Sequence, residues 1–181
     1  MSAVTVKSLR TRRLIASAIC LALALVLPFL TGQIQQIGNM LCPMHIPVLL
    51  CGLICGWPWG MAVGFIAPLL RFVLFGMPPV YPIGLAMAFE LATYGLSAGL
   101  CCKLLPKKPG YVYVALLCGM MDGRIVWGIA RYIMAGLGGG EFPFAAFLAG
   151  AVTNAIPGIV LQILLIPPIV LALKKAKLFY N

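Results

Sequence analysis

Charge is confined to a few places in this chain, and those places decide what the rest can fold into. Basic residues gather as Lys7, Arg10, Arg12 and Arg13, then as Lys103, Lys107 and Lys108, then as Lys174, Lys175 and Lys177. Between the first two groups only Arg71 and Glu90 carry a full charge. The intervening sequence is a succession of apolar runs, and runs of about 20 apolar residues flanked by short basic segments are spanning helices whose basic flanks stay in the cytoplasm. With 63% hydrophobic and 9% charged residues, an ordinary soluble domain and a disordered chain are both excluded. A length of 181 residues allows about six crossings. The expectation is one integral membrane domain over 1–181, with a basic cytoplasmic start at 1–13, a six-helix bundle at 14–173 and a basic cytoplasmic tail at 174–181. The net charge of +10 then reports topology and anionic lipid headgroups, not nucleic acid.

Residues 1–30 imitate the basic and apolar regions of a secretory signal, but Thr31-Gly32-Gln33 follows without a small-x-small cleavage pattern, so Leu14 to Leu30 reads as a retained first helix. Ala18 and Ala22, four apart, give it a smooth face for a close helix partner. The segment Gln33 to Asn39 carries four amides in seven residues and reads as an outer loop or lid, or as a solvated loop with no role. Met44 to Phe75 is too long for one span and is cut at Gly56-Trp57-Pro58-Trp59-Gly60. That predicts a short second helix of about a dozen residues and a third helix, with Gly52, Gly56, Gly60 and Gly64 closing the hairpin. Arg71 is expected to snorkel to the outer interface. Helix four is predicted from Ile83 to Leu100, helix five from Tyr111 to Leu137, and helix six from Phe144 to Leu173 with interruptions at Pro157 and at Pro167-Pro168.

Helix five carries the densest polar content, with Asp122, Arg124 and Arg131 in an apolar setting. Each charge costs about 2.5–3.5 kcal/mol on insertion scales, so such residues face a bundle interior or a wet cavity. At 100° per residue Arg124, Trp127, Gly128 and Arg131 share one stripe, two cations around an aromatic face. The stripe suits a small polar ligand. The competing reading is that Asp122 and the arginines pair with each other or with Glu90 and only lock helices together. Glu90 and Tyr94 are one turn apart on helix four, and Arg124 is nearest to Glu90 in depth. On helix six Asn154, Gly158 and Gln162 fall on one stripe.

No Walker-type loop, no paired carboxylates and no Ser-His or Cys-His signature is present, so catalysis is not expected. The seven cysteines lie mostly in apolar runs and read as small buried residues. Cys42-Pro43-Met44-His45 hints at a metal corner, but one histidine and three acids cannot close a ligand set, and neither a metal nor a cofactor is expected.

From Cys42 through Gly60 to Pro68, the Pro-x-His-x-Pro run and the glycine-rich hairpin that follows resemble the substrate-binding S components of energy-coupling factor (ECF) transporters. The likeness extends over essentially the whole chain: basic start, Ala18-x-x-x-Ala22 face, polar first loop, short second helix and six spans. The resemblance implies a multi-pass protein of the bacterial plasma membrane that captures a water-soluble vitamin from outside. It implies as partners a transmembrane coupling protein and two cytoplasmic ATPases, which would supply the energy. It assigns Ala18 and Ala22 to docking and the Gln33 to Asn39 loop to the lid, with Gln33, Gln36 and Asn39 facing ligand. Topological position adds Glu90, Tyr94, Arg124, Trp127, Arg131 and Asn154 as substrate-binding candidates. Two arginines on one stripe favour a carboxylate such as pantothenate, with a pyridoxine-like or pyrimidine vitamin next. The alternatives are a stand-alone secondary carrier, using Glu90 or Asp122 as its titrating group, or a membrane enzyme.

Overall fold

A computed structural model describes residues 3–30, 40–176, 178–179 and 181, with side chains from Ser8 onward. Its described residues are all-helical. The elements are α1 (Ala3–Leu30), α2 (His45–Cys55), α3 (Trp57–Phe75), a π-type turn (Val80–Gly84), α4 (Leu85–Leu104), α5 (Tyr111–Leu137), α6 (Phe144–Ala151), a 3-10 turn (Thr153–Ala155) and α7 (Ile156–Lys175). Five stretches are long and apolar enough to cross a membrane: α1, α3, the π turn with α4, α5, and α6 through α7. The short helix α2 is the sixth apolar segment. Its 11 residues rise about 16 Å, roughly half of a hydrocarbon core of about 30 Å.

That short helix is the centre of the bundle. It is apolar on every side, and every residue in it except Leu50 is buried, as expected of a helix without a polar stripe. It packs on α1, α3, α4, α5 and α7, and Val48, Leu49, Cys51 and Leu53 join Ala67, Leu91, Tyr94, Leu116 and Ile166 in one core.

Glycine sets the approach of α2, α3 and α4. A Cβ on Gly60 would lie 2.5 Å from the Gly52 Cα, and one on Gly99 would lie 2.6 Å from the Trp57 nitrogen. Gly52 and Gly95 abut in the same way, as do Gly64 and the Leu91 carbonyl. The predicted glycine series therefore works at Gly52, Gly60 and Gly64, but its other half is Gly95 and Gly99 of α4. Gly56 does something else: at φ 100° it ends α2 and opens α3, a conformation side chains resist.

The basic clusters converge at one end of the bundle. Lys107, Lys108 and Lys174 line one hollow with Tyr111. Near the same end Ser17 Oγ donates to the Arg13 carbonyl at 2.8 Å and accepts from Cys51 Sγ at 3.5 Å. Asn181 Nδ2 donates to the Gly99 carbonyl at 3.0 Å.

Two expectations are corrected. Arg71 does not snorkel: it is 4% exposed, donates from Nη1 to the Leu25 carbonyl at 2.6 Å, and lies over the Phe29 and Phe75 rings at 5.1 and 5.3 Å. A donor from α3 thus has an acceptor and two aromatic faces and gains nothing by reaching for water. Nor does Pro157 break the last span. The break lies at Val152 to Ala155, and Pro157 occupies the first turn of α7, where a missing N–H costs nothing. Pro167 and Pro168 lie inside α7 without ending it.

Candidate functional site

The polar groups of the bundle meet away from the basic end, where α2 begins. Cys42 precedes the helix at φ 48°, a left-handed conformation that costs a non-glycine residue about 1–3 kcal/mol and persists where the surroundings hold it. Its carbonyl accepts the His45 N–H at 3.0 Å, and its Sγ takes a contact from Arg124 Nη2 at 3.6 Å. His45, the first residue of α2, brings Nε2 within 3.3 Å of Glu90 Oε1. Arg124 Nη1 reaches the same oxygen at 3.3 Å. The three side chains are 4%, 3% and 14% exposed. Burial of this kind is tolerated only because opposite charges face each other.

Helix geometry explains the convergence. Tyr94 follows Glu90 by one turn on α4, is fully buried, and meets the His45 ring edge-on at 5.1 Å and 80°. Gly123, beside Arg124, lets the Tyr94 ring lie against α5, since a Cβ there would come 2.8 Å from its Cδ2. Gly119 does the same one turn earlier, where a Cβ would come 2.9 Å from the Ala98 Cβ. On α7, Gly158 abuts Met40, with a Cβ falling 2.6 Å from its carbonyl. Gln162 lies one turn further along that face, fully buried.

Hydrogen bonding at the site is incomplete. Glu90 Oε1, both His45 ring nitrogens, Tyr94 Oη, Arg124 Nε and both amide atoms of Gln162 are buried without a hydrogen-bond partner. The Glu90 contacts are thus electrostatic approaches and not aligned hydrogen bonds. A buried polar atom left in this state costs about 1–3 kcal/mol unless a ligand or ordered water pairs it. Five such atoms around Glu90, with two more on Gln162 of α7, are capacity for binding.

Of the expected site residues, the structure brings together Glu90, Tyr94 and Arg124. Arg124, Trp127 and Arg131 stay on one stripe of the continuous helix α5, but Trp127 and Arg131 turn to partners other than Glu90. Trp127 packs with Phe142 at 5.8 Å and Phe147 at 6.3 Å, and the Arg131 guanidinium sits 5.3 Å from the Phe142 ring, because the segment entering α6 folds back over that part of α5. Asn154 is exposed in the 3-10 turn, off the face that buries Gly158 and Gln162. Asp122 is exposed and makes no ion pair among the described residues. Gln33, Gln36 and Asn39 lie outside the described residues. Cys42, His45 and Gln162 were not among the expected contacts. The only sequence signal for the first two is the Pro-x-His-x-Pro run itself, and for Gln162 its stripe with Gly158.

Ala18 and Ala22 are exposed on α1, on the face opposite to the buried Ser17, Cys20 and Ala24.

Comparison with known proteins places this geometry. Searches of the curated proteins and of the solved structures return no significant match. The family model described as "ECF transporter, substrate-specific component" matches residues 12–170, which runs from within α1 to within α7 and takes in every element between. The chain belongs to the substrate-specific component family of ECF transporters.

Proposed function

We propose that the protein is the substrate-capturing subunit of an ECF-type importer in a bacterial plasma membrane, taking a water-soluble vitamin or related micronutrient from outside. The family is a transporter component and not an enzyme. The observation that carries the reading is the buried His45–Glu90–Arg124 cluster with unpartnered polar atoms around it, set away from the basic end of the bundle.

Topology gives the direction. Basic flanks are retained in the cytoplasm, so the end bearing Lys107, Lys108 and Lys174 is cytoplasmic, both termini with it, and the cluster lies in the outward half. Residues 33–39, which join α1 to the Cys42 turn, then act as the lid. Glu90, Tyr94 and Arg124 contact the ligand, while Trp127, Arg131 and Asn154 lie farther out and shape the approach. Exposure of Ala18 and Ala22 on α1 supports docking there by a transmembrane coupling protein, through which two cytoplasmic ATPases drive release. On the cargo, the Glu90 contact to Arg124 weakens the case for a pantothenate-like carboxylate and moves the balance to a pyridoxine-like or pyrimidine-like vitamin.

Thermal unfolding of the purified protein against a panel of water-soluble vitamins tests this, because a ligand that prefers the folded state raises the apparent Tm. A saturable rise with one compound is expected, together with co-purification of an ATPase pair from the native membrane. Transport by the isolated chain in proteoliposomes without ATPases would overturn the reading in favour of a secondary carrier.

A further inference from the structure

We infer that the ligand presents a neutral edge with a hydrogen-bond donor and acceptor side by side, as a carboxamide, lactam, ring imide or aminopyrimidine does, and that the Gln162 amide reads it. The inference rests on the binding-subunit reading above and goes beyond it in naming the ligand's chemistry and a specificity residue.

The charge count comes first. Glu90 faces one permanent cation, Arg124, at 3.3 Å, and those two fixed charges offset each other. A carboxylate entering here would have to separate Arg124 from Glu90, and the other cation of α5, Arg131, is engaged with the Phe142 ring. Recognition then falls to neutral groups. Among these Gln162 stands apart: it is fully buried, and neither its oxygen nor its nitrogen has a partner. A glutamine holding helices together would have spent one or both atoms on a neighbouring backbone or side chain. A primary amide with both atoms free offers donor and acceptor in one plane, the geometry that pairs in bidentate fashion with an amide-like or aminopyrimidine edge. Its place on α7, one turn from the contact between Gly158 and Met40, puts it on the face that meets the start of the Cys42 turn. Tyr94 and His45, with further unpartnered polar atoms, supply additional contacts on the α2 and α4 side.

The experiment is a thermal-shift titration of the full chain in detergent with compounds that present such an edge (riboflavin, nicotinamide, and biotin and folate through their rings), with pyridoxine and pantothenol, which are neutral without it, and with the acids nicotinate and pantothenate, repeated on Gln162→Leu and Gln162→Met. The expected result is a saturable shift with an edge-bearing compound, and for the nicotinamide/nicotinate and pantothenol/pantothenate pairs no preference for the acid. Both variants should weaken that binding at least about tenfold, the factor that losing a pair of ordinary hydrogen bonds brings. Their ligand-free Tm should be unchanged or higher, since an unpartnered amide leaves the core. A merely structural Gln162 would instead lower the ligand-free Tm of both variants and leave affinity untouched, which overturns the inference. A shift confined to compounds without that edge, or to the acid of either pair, overturns it too, while the binding-subunit reading stands. No shift with any of the eight compounds counts against that reading, and the inference falls with it.

Discussion

Replacing Glu90 by glutamine keeps the shape of the side chain and removes the only anion facing two cationic-capable groups. The contact from Arg124 Nη1 is 3.3 Å, which at an effective dielectric of about 20 corresponds to about 5 kcal/mol of attraction. Two features lower the figure: 3.3 Å is longer than an ideal charge-assisted hydrogen bond, and the Arg124 side chain keeps 14% exposure. Removing one member of a buried pair nonetheless leaves an uncompensated charge, at a cost of about 3–5 kcal/mol. For a chain of this size that is a fall in apparent Tm of about 6–20 °C. The assay is thermal unfolding of the detergent-solubilised protein, read as a double-mutant cycle with Arg124→Met. Glu90→Gln should destabilise strongly alone and weakly in the Arg124→Met background, where no cation is stranded. If the two changes add within about 0.5 kcal/mol, the side chains do not interact and the charge-compensated site is wrong.

Gly95→Ala should lose folded protein, because its Cβ falls on the Gly60 backbone, whereas Gly136→Ala, with nothing within 4 Å, should be neutral or stabilising by up to about 1 kcal/mol; expression and Tm of the two variants side by side decide it. Arg71→Met should lower stability by about 2–3 kcal/mol through loss of the charged hydrogen bond to Leu25, and Arg71→Lys should not fully restore it, since an ammonium cannot stack between Phe29 and Phe75 as a guanidinium does; equal Tm for wild type and Arg71→Met would refute this. Ala18→Leu or Ala22→Leu should abolish uptake in cells while the purified protein binds ligand as before, because both positions are exposed in the isolated chain; loss of binding in the purified variant would place them in the fold instead of the interface.

Helix limits were legible wherever punctuation was sharp. Tyr111 to Leu137 is predicted and found without a residue of difference, because Lys107-Lys108-Pro109-Gly110 precedes it and three glycines follow. The short α2 was legible from the Gly56-Trp57-Pro58 cut and the limit on span length. Partnership was not. A glycine spacing of four announces close packing but not the helix that fills it, and here that is Gly95 and Gly99. Arg71 looked like an interface residue because sequence places it near a helix end but does not show the Leu25 carbonyl across the gap. The Glu90–Arg124 contact was legible from depth alone, since both lie midway along predicted spans. His45 escaped because it starts a half-length helix, and only the fold reveals that such a start lies at the depth of Glu90.

The two kinds of residue that organise this bundle act at different depths, and that separation bears on how a capture subunit works. Gly52, Gly60, Gly95 and Gly99 draw α2, α3 and α4 together toward the basic end, backbone against backbone. A side chain can rotate out of the way, but a backbone contact opens only if whole helices move. The polar cluster occupies the other half, where α2 begins and where His45, Glu90 and Arg124 are held by charge and leave hydrogen-bonding atoms unspent. A ligand seated there meets adjustable groups on one side and a closed wall on the other. On the proposed reading, capture needs rearrangement only of the polar half, whereas passage toward the basic end requires separating helices that the isolated chain packs backbone against backbone. On the same reading, that asymmetry is the physical reason release depends on partners.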